Sequence, residues 1–379
     1  MTSLTQWVAA SATSKKIAVI SDSIGENDAT YNLTAFPWHV RERLARRWGA
    51  SSSFGMLGCW HDVWTFAGTW TQATTSDAWD VGVYYNAGVT PFSGVNLGNA
   101  AADIATYTKL GGDHNILWVG EAITGFKLYV VDGASSANFS YSVDGGAWTD
   151  VTGVTWGQDN GIEVITIGTA VTSTVEVRGA NAAGTAANVY LMGIEPTTAG
   201  TGPVLHWLSS GGQDSRQVVR TTSGDWTAWL DLVQPQVVVW LLVNDLLDVI
   251  WDTGAGNGAD YQTRLEAVAD VVSGYGGSMV LVNYFGHNHS GMDGVTGSPP
   301  SPASSGANSQ QMATINAAVA TSYGFEAIDL YDLVGNFTTT NAAGYLAVDE
   351  LHPSDPGGEV ITQWVWPSLT FGTGQAFAR

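Results

Sequence analysis

PQVVVWLLVND, residues 235–245, is the stretch on which the fold turns. From Val237 to Val243 every residue is apolar, and a polar pair, Asn244-Asp245, ends the run. A strand half exposed to water alternates apolar and polar residues. An unbroken apolar run of this length instead reads as a strand buried on both faces, in the middle of a parallel sheet. Such sheets need helices between their strands, and the flanking sequence supplies them. On the N-terminal side, KKIAVISDSIGEN (15–27) gives a second buried strand over Ile17–Ile20, stopped by Ser-Asp-Ser and a glycine. AFPWHVRERLARRWG (35–49) follows, with Phe36, Val40, Leu44 and Trp48 at helical spacing, Pro37 near the start and Gly49 past the end. On the C-terminal side YQTRLEAVADVVSGYG (261–276) reads as a helix and SMVLVNYFG (278–286) as a strand. QMATINAAVATSYG (311–324) is again helical, FEAIDLYDLV (325–334) begins with a strand, and PGGEVITQWVWPSL (356–369) is a last helix. HSGMDGVTGSPPSPASSGANSQ (289–310) reads as a mobile loop rich in Gly, Ser and Pro.

Between these two α/β stretches the pattern changes. HNILWVG, GFKLYVVDG, ANFSYSVDGGAWTDV, IEVITIGTA, STVEVRG and NVYLMGIEP follow one another between residues 114 and 196 without helical periodicity. Short strands separated by turn signals, with Asp-Gly at 144–145 marking a hairpin, indicate an antiparallel β-sandwich or jelly roll. The expected architecture is one doubly wound, mainly parallel α/β domain built from residues 1–77 and 200–379, interrupted by an inserted β-sandwich at 78–199.

Composition narrows the function. The 379 residues carry 34 acidic and 13 basic side chains, a formal net charge of −21, and only 12% of them are charged. Phosphate-rich nucleic acids and anionic membranes attract basic surfaces, so neither is an expected partner. Neutral sugars, esters and proteins suit such a surface, and a homo-oligomer or a virion assembly stays open. Cys59 is the single cysteine, which excludes an intramolecular disulfide and a cysteine-based metal cluster. It reads as a small buried residue, not a nucleophile. No apolar run approaches the ~20 residues of a membrane helix. The N-terminal MTSLTQWVAASATSKK lacks the pattern of a secretory signal. The expected location is therefore cytoplasmic or virion-associated, or secreted if a signal has been removed. Most of the 17 tryptophans are expected in the core, and exposed ones would serve as stacking platforms for sugars.

Four places fall at carboxyl ends of expected strands, where an open α/β sheet binds ligands. They are Ser23 in SDS, Gly211-Gly212 in SGGQDS, Asn244-Asp245 in VND, and Asp349 with His352 in DELHPS. Singly each has an ordinary reading: a turn serine, a glycine turn, a strand end, and a helix start capped by Ser354 or Asp355. Together they hold every group that acyl transfer requires. A serine hydroxyl needs a base, a histidine needs a carboxylate to orient it, and the oxyanion needs donors such as backbone N–H groups and an asparagine amide.

In this order and spacing the chain resembles the SGNH hydrolases, the GDSL esterases and lipases. The resemblance covers residues 15–77 and 200–366 and leaves the insert outside. DELHPS matches the family's last block residue for residue, while Ser21 and Leu242 stand where the family keeps glycines. The resemblance implies a five-stranded flavodoxin-like sheet and a serine esterase working without metal or cofactor. It makes Ser23 the nucleophile, His352 the base and Asp349 its orienting partner. The backbone of Ser23, Gly212 and the side chain of Asn244 would form the oxyanion hole. Asp22, Asp245, His287 and His289 are assigned to substrate contact; the HNH run of the last two, with no third ligand nearby, is not read as a metal site. The expected substrate is an acylated glycan from which O-acetyl groups are removed. The alternatives are a lipase or short-chain esterase on small or lipid esters, and, from another class, a glycan-binding or phage structural protein with a vestigial site.

Overall fold

The computed structural model describes residues 15–26, 36–48, 53–58, 64–67, 95–96, 104–108, 123–131, 140–151, 162–171, 174–178, 190–198, 202–209, 213–219, 226–247, 251, 258–288 and 307–370. Five strands form the centre of the main sheet: β1 (Lys16–Ser21), β12 (Val204–Ser209), β13 (Val237–Leu241), β14 (Ser278–Asn283) and β15 (Glu326–Asp329). The last four take their numbers from their place in the chain. They lie in the order β12-β1-β13-β14-β15, and every neighbouring pair is parallel. This is the flavodoxin-like order that the resemblance implies. All five residues of β13 are buried, as are Ile17, Ala18, Val19 and Ile20 of β1. Burial on both faces explains why neither strand alternates in sequence.

Helices cover the sheet in two groups. Short α1 (Ser23–Glu26) leads into α2 (Phe36–Trp48), which buries Phe36, Val40 and Leu44 along one stripe and packs on the final helix of the chain. Short α3 (Ser215–Val218), then α4 (Trp226–Val233), α5 (Ala259–Gly274) and α6 (Ala307–Tyr323) form a second group, with α5 touching the other three. Two further short helices, α7 (Leu330–Val334) and α8 (Phe337–Ala342), precede that final helix, α9 (Asp355–Thr370). Both α9 and α6 reach β14, as helices on the two faces of one sheet must.

The sheet does not stop at β12. A sixth parallel strand, β2 (Ser53–Gly58), pairs with β12. Beyond it run β11 (Tyr190–Thr198), β6 (Ile123–Val131) and β9 (Ile162–Ile167), all antiparallel, with the two-residue β4 (Val95–Asn96) also on β11. A second antiparallel sheet holds β3 (Trp64–Ala67), β5 (Ile104–Thr108), β10 (Thr174–Arg178), β7 (Ser140–Val143) and β8 (Thr149–Asp150). Phe126 of β6 meets Tyr141 of β7 edge to face, with ring centroids 5.8 Å apart, so the two sheets touch through aromatic side chains. These extra antiparallel strands are compatible with an insertion, but part of it continues the α/β sheet as further strands. The reason is physical: β2 would otherwise be an open edge of unpaired N–H and C=O groups, and β11 closes it. Trp64–Ala67, ahead of residue 78, is already the edge strand of the second sheet.

Candidate active site

The register sets Ser21 beside Ser209 and Leu241, so β1, β12 and β13 end level, and the chain leaves all three at one edge of the sheet. β1 lies at the point where the chain turns first to one side, toward β12, and then crosses to β13. A crevice forms at such a point.

Asp22 is the centre of the first block. It is fully buried, and its carboxylate closes the turn. Oδ1 accepts from Ile24 N (3.0 Å), and Oδ2 accepts from Val243 N (2.5 Å) and Asn244 N (2.9 Å). One side chain therefore ties the turn bearing Ser23 to the 3₁₀ turn Asn244–Leu246 after β13. Burial pushes the Asp22 carboxyl up to about 6, against the pull of those three N–H groups and of His352. Ser23 opens α1 and is 8% exposed.

Ser21, the residue that stands in place of a glycine, is fully buried as the last residue of β1. Its side chain lies against Gly25. A Cβ at position 25 would come within 2.6 Å of Ser21 Cβ and 2.8 Å of its Oγ, and would also collide with Ser209 Oγ. The glycine that makes room at this turn thus stands at 25 instead of 21. Trp207 Nε1 fixes that residue by donating to Gly25 O (2.9 Å). Leu242, the other departure, is a buried core residue.

The second and third blocks are bound to each other. Gly212 lies outside the described residues, but Gln213 beside it donates from Nε2 to Ser21 O (3.1 Å) and Leu208 O (3.4 Å). Asn244 Nδ2 donates to Gln213 O (3.3 Å), and Asn244 is half-buried. Asp245 is fully buried and accepts from Ser215 N (2.9 Å) and Ser215 Oγ (2.6 Å), while Arg264 Nε donates to the same hydroxyl (2.8 Å). Burial, and then the charge of Asp214, raise the Asp245 carboxyl well above the usual range. Asp22 and Asp245 therefore hold backbone turns in place, and neither presents a carboxylate at the surface.

In the fourth block Asp349 Oδ1 accepts from the backbone N–H of Leu351 (3.1 Å) and of His352 (3.0 Å). Its Oδ2 lies 2.5 Å from His352 Nδ1. Partial burial raises the Asp349 carboxyl, but the His352 ring and the two N–H groups outweigh it and hold the group below its ordinary value. An ionised carboxylate accepts, so Nδ1 carries the proton and Nε2 is left as the basic nitrogen. That Nε2 is buried and has no hydrogen-bond partner among the described residues. The charge of His352 acts on Asp22, the residue next to Ser23.

His287 is buried and packs at a tilt on Tyr284, with centroids 5.8 Å apart. His289, Gly211 and Cys59 lie outside the described residues. Among the described residues no group of three or more His, Cys, Asp or Glu could hold a metal ion. Sequence reasoning passed over Gln213, Gly25 and Tyr284. For Tyr284 a signal existed: it directly follows the buried strand β14, at the edge where the other site residues lie.

Against solved structures, the chain is similar over 97% of its length, and 96% of the other's, to a peptidoglycan O-acetylesterase, with a TM-score of 0.61 and 14% identity. The fold is the SGNH hydrolase fold. An acetyl xylan esterase (17% identity, covering 44% of this chain and 81% of that one, TM-score 0.33) and a lipase/acylhydrolase from Enterococcus faecalis (14%, 45% and 76%, 0.33) align with smaller parts, and at those scores they add no argument. No protein-family model and no curated protein sequence matches the chain. No described helix is long and apolar enough to cross a membrane. What the whole-length likeness adds to the SGNH fold is that the antiparallel strands are part of the shared architecture.

Proposed function

We propose that the protein is a serine carboxylic-ester hydrolase that removes O-acetyl groups from a glycan. The observation that carries the reading is the Asp349–His352 pair, whose Nε2 is buried without a hydrogen-bond partner among the described residues. In this mechanism Nε2 takes the Ser23 hydroxyl proton as Oγ adds to the ester carbonyl. The tetrahedral oxyanion is held by the Ser23 and Gly212 backbone N–H groups and by the Asn244 side chain, each such donor contributing ~3 kcal/mol. Collapse breaks the ester C–O bond, and the imidazolium returns its proton to the leaving alcohol. Water, deprotonated by His352, then cleaves the acyl-enzyme and frees acetate. In the proposal His287, which packs on Tyr284, and His289 contact the substrate.

The glycan substrate is supported by the low share of charged side chains and by the whole-length likeness to a peptidoglycan O-acetylesterase. We assign residues 78–199 to gripping the sugar chain. The test is hydrolysis of p-nitrophenyl acetate by the native chain and by Ser23→Ala, with an expected loss of at least ~1000-fold. Equal rates would refute the esterase reading. Acetate release from O-acetylated peptidoglycan and acetylated xylan, set against p-nitrophenyl butyrate, then separates a glycan substrate from a lipid-like one.

A further inference from the structure

Tyr284 is the first residue after β14, and its ring is buried, stacked on Phe285 with centroids 4.2 Å apart. Its hydroxyl donates to Leu351 O (2.9 Å), the carbonyl of the residue just before His352. Burial first, and then the negative charges of Asp22 and Asp349, hold that hydroxyl well above its ordinary pKa, so it remains a protonated donor. The two carboxylates are the ones that hold the nucleophile turn and the base. Tyr284 thus feels the charge of both carboxylates and bonds directly to the loop that carries His352.

The rest of the base loop shows why this bond matters. Most of its hydrogen bonds are local: Asp349 to Leu351 and His352, Glu350 N to Ala347 O, and Ala347 N to His352 O. Tyr284 and Asn288 supply the contacts from another element. Asn288 reaches Glu350 with its backbone N–H (2.9 Å) and its Nδ2 (2.6 Å). Of these anchors only Tyr284 is rooted in the buried end of a central strand.

We infer that Tyr284 is a positioning residue, whose hydroxyl sets the placement of the His352 imidazole through the Leu351 carbonyl. This rests on the serine-esterase reading, and a base shifted by a fraction of an ångström lowers turnover without weakening substrate binding. The test is Tyr284→Phe, which keeps the ring and its packing and deletes only the donor. The expected result is a kcat about tenfold lower with KM within about twofold. In parallel, the low-field proton resonance of the short His352 Nδ1–H···Asp349 contact should shift upfield or broaden. Tyr275→Phe, which deletes a buried hydroxyl without a hydrogen-bond partner in the α5–β14 turn, should change neither quantity. If Tyr284→Phe lowers the melting temperature severely, 3,5-difluorotyrosine at 284 keeps the fold and strengthens the donor, and the His352 resonance should still move. Wild-type kcat with an unmoved resonance would overturn the inference. A dead Ser23→Ala beside a fully active Tyr284→Phe would sink this inference alone, whereas an active Ser23→Ala would sink the esterase reading itself.

Discussion

The nucleophile turn and the base loop, the two halves of one candidate site, are built in opposite ways. Asp22 is fully buried and clasps N–H groups from its own turn and from the end of β13. Asp349 is 39% exposed, and Val348 before it is wholly exposed. The loop follows its own local hydrogen bonds, and Glu350 sits at a φ of 60°, in the left-handed region that a non-glycine residue occupies only when its surroundings hold it there. The difference teaches where each half is vulnerable. The position of Ser23 is tied into the core through Asp22, so damage there costs stability first. Under the proposed function, damage to the loop of His352 costs turnover first.

The sharpest way to break this contrast is Asp22→Ala. It leaves Val243, Asn244 and Ile24 N–H groups buried without an acceptor, with an expected loss of about 3 kcal/mol or more in stability by denaturant titration. A loss below about 1 kcal/mol would show that the turn is not welded to the core. Next comes pH. With its carboxyl raised to about 6 from 3.8, Asp22 is still protonated in the native state at pH values where the unfolded chain has ionised. Its contribution to stability is therefore fully present below about pH 4 and is lost as pH rises through about 6, by some 3 kcal/mol at most. Carbon-13 titration of the Asp22 carboxyl should have its midpoint near 6, and a midpoint near 4 would contradict the burial argument.

A smaller effect, about 1–3 kcal/mol, is expected of Gly25→Ala, which drives a methyl into Ser21 and Ser209. Ser21→Gly in the same chain should recover part of it, and strictly additive melting data would mean that the two residues do not share this space. Smallest is Asn288→Ala, which removes the side-chain contact made to Glu350 of the base loop from outside it. A few-fold drop in kcat is expected with less than about 1 kcal/mol of stability, and the reverse pattern would erase the distinction between the halves.

Much of this was readable in the residues themselves. The apolar runs at 17–20 and 237–243 named the central strands because burial on both faces abolishes alternation. The order of SDS and VND located strand ends because chemistry at the carboxyl edge needs polar residues at strand exits; DELHPS, expected at a strand end too, instead lies past α7 and α8, well beyond β15. Two things were not readable. No local signal shows that β11 would dock on β2, since pairing of distant edges depends on where the intervening chain returns. Nor does spacing show that Asp22 would spend both carboxylate oxygens on backbone N–H groups, or that Gly25 would take over the steric role of a glycine missing at 21.

The pairing of Lys16 with Val204 has a consequence for how the chain comes into being. The neighbours of β1, at 204–209 and 237–241, lie far downstream, while most of the antiparallel strands come between. At synthesis rates of about 5–20 residues per second, β1 would wait on the order of ten to forty seconds for its first parallel partner. During that interval the most apolar strand near the N-terminus has no sheet to enter. Most antiparallel strands are synthesised before β12 and β13, so β11 and β2 are available as an edge before β12 can join β1 to them. The strands outside the candidate site would thus act as the template on which that site is assembled.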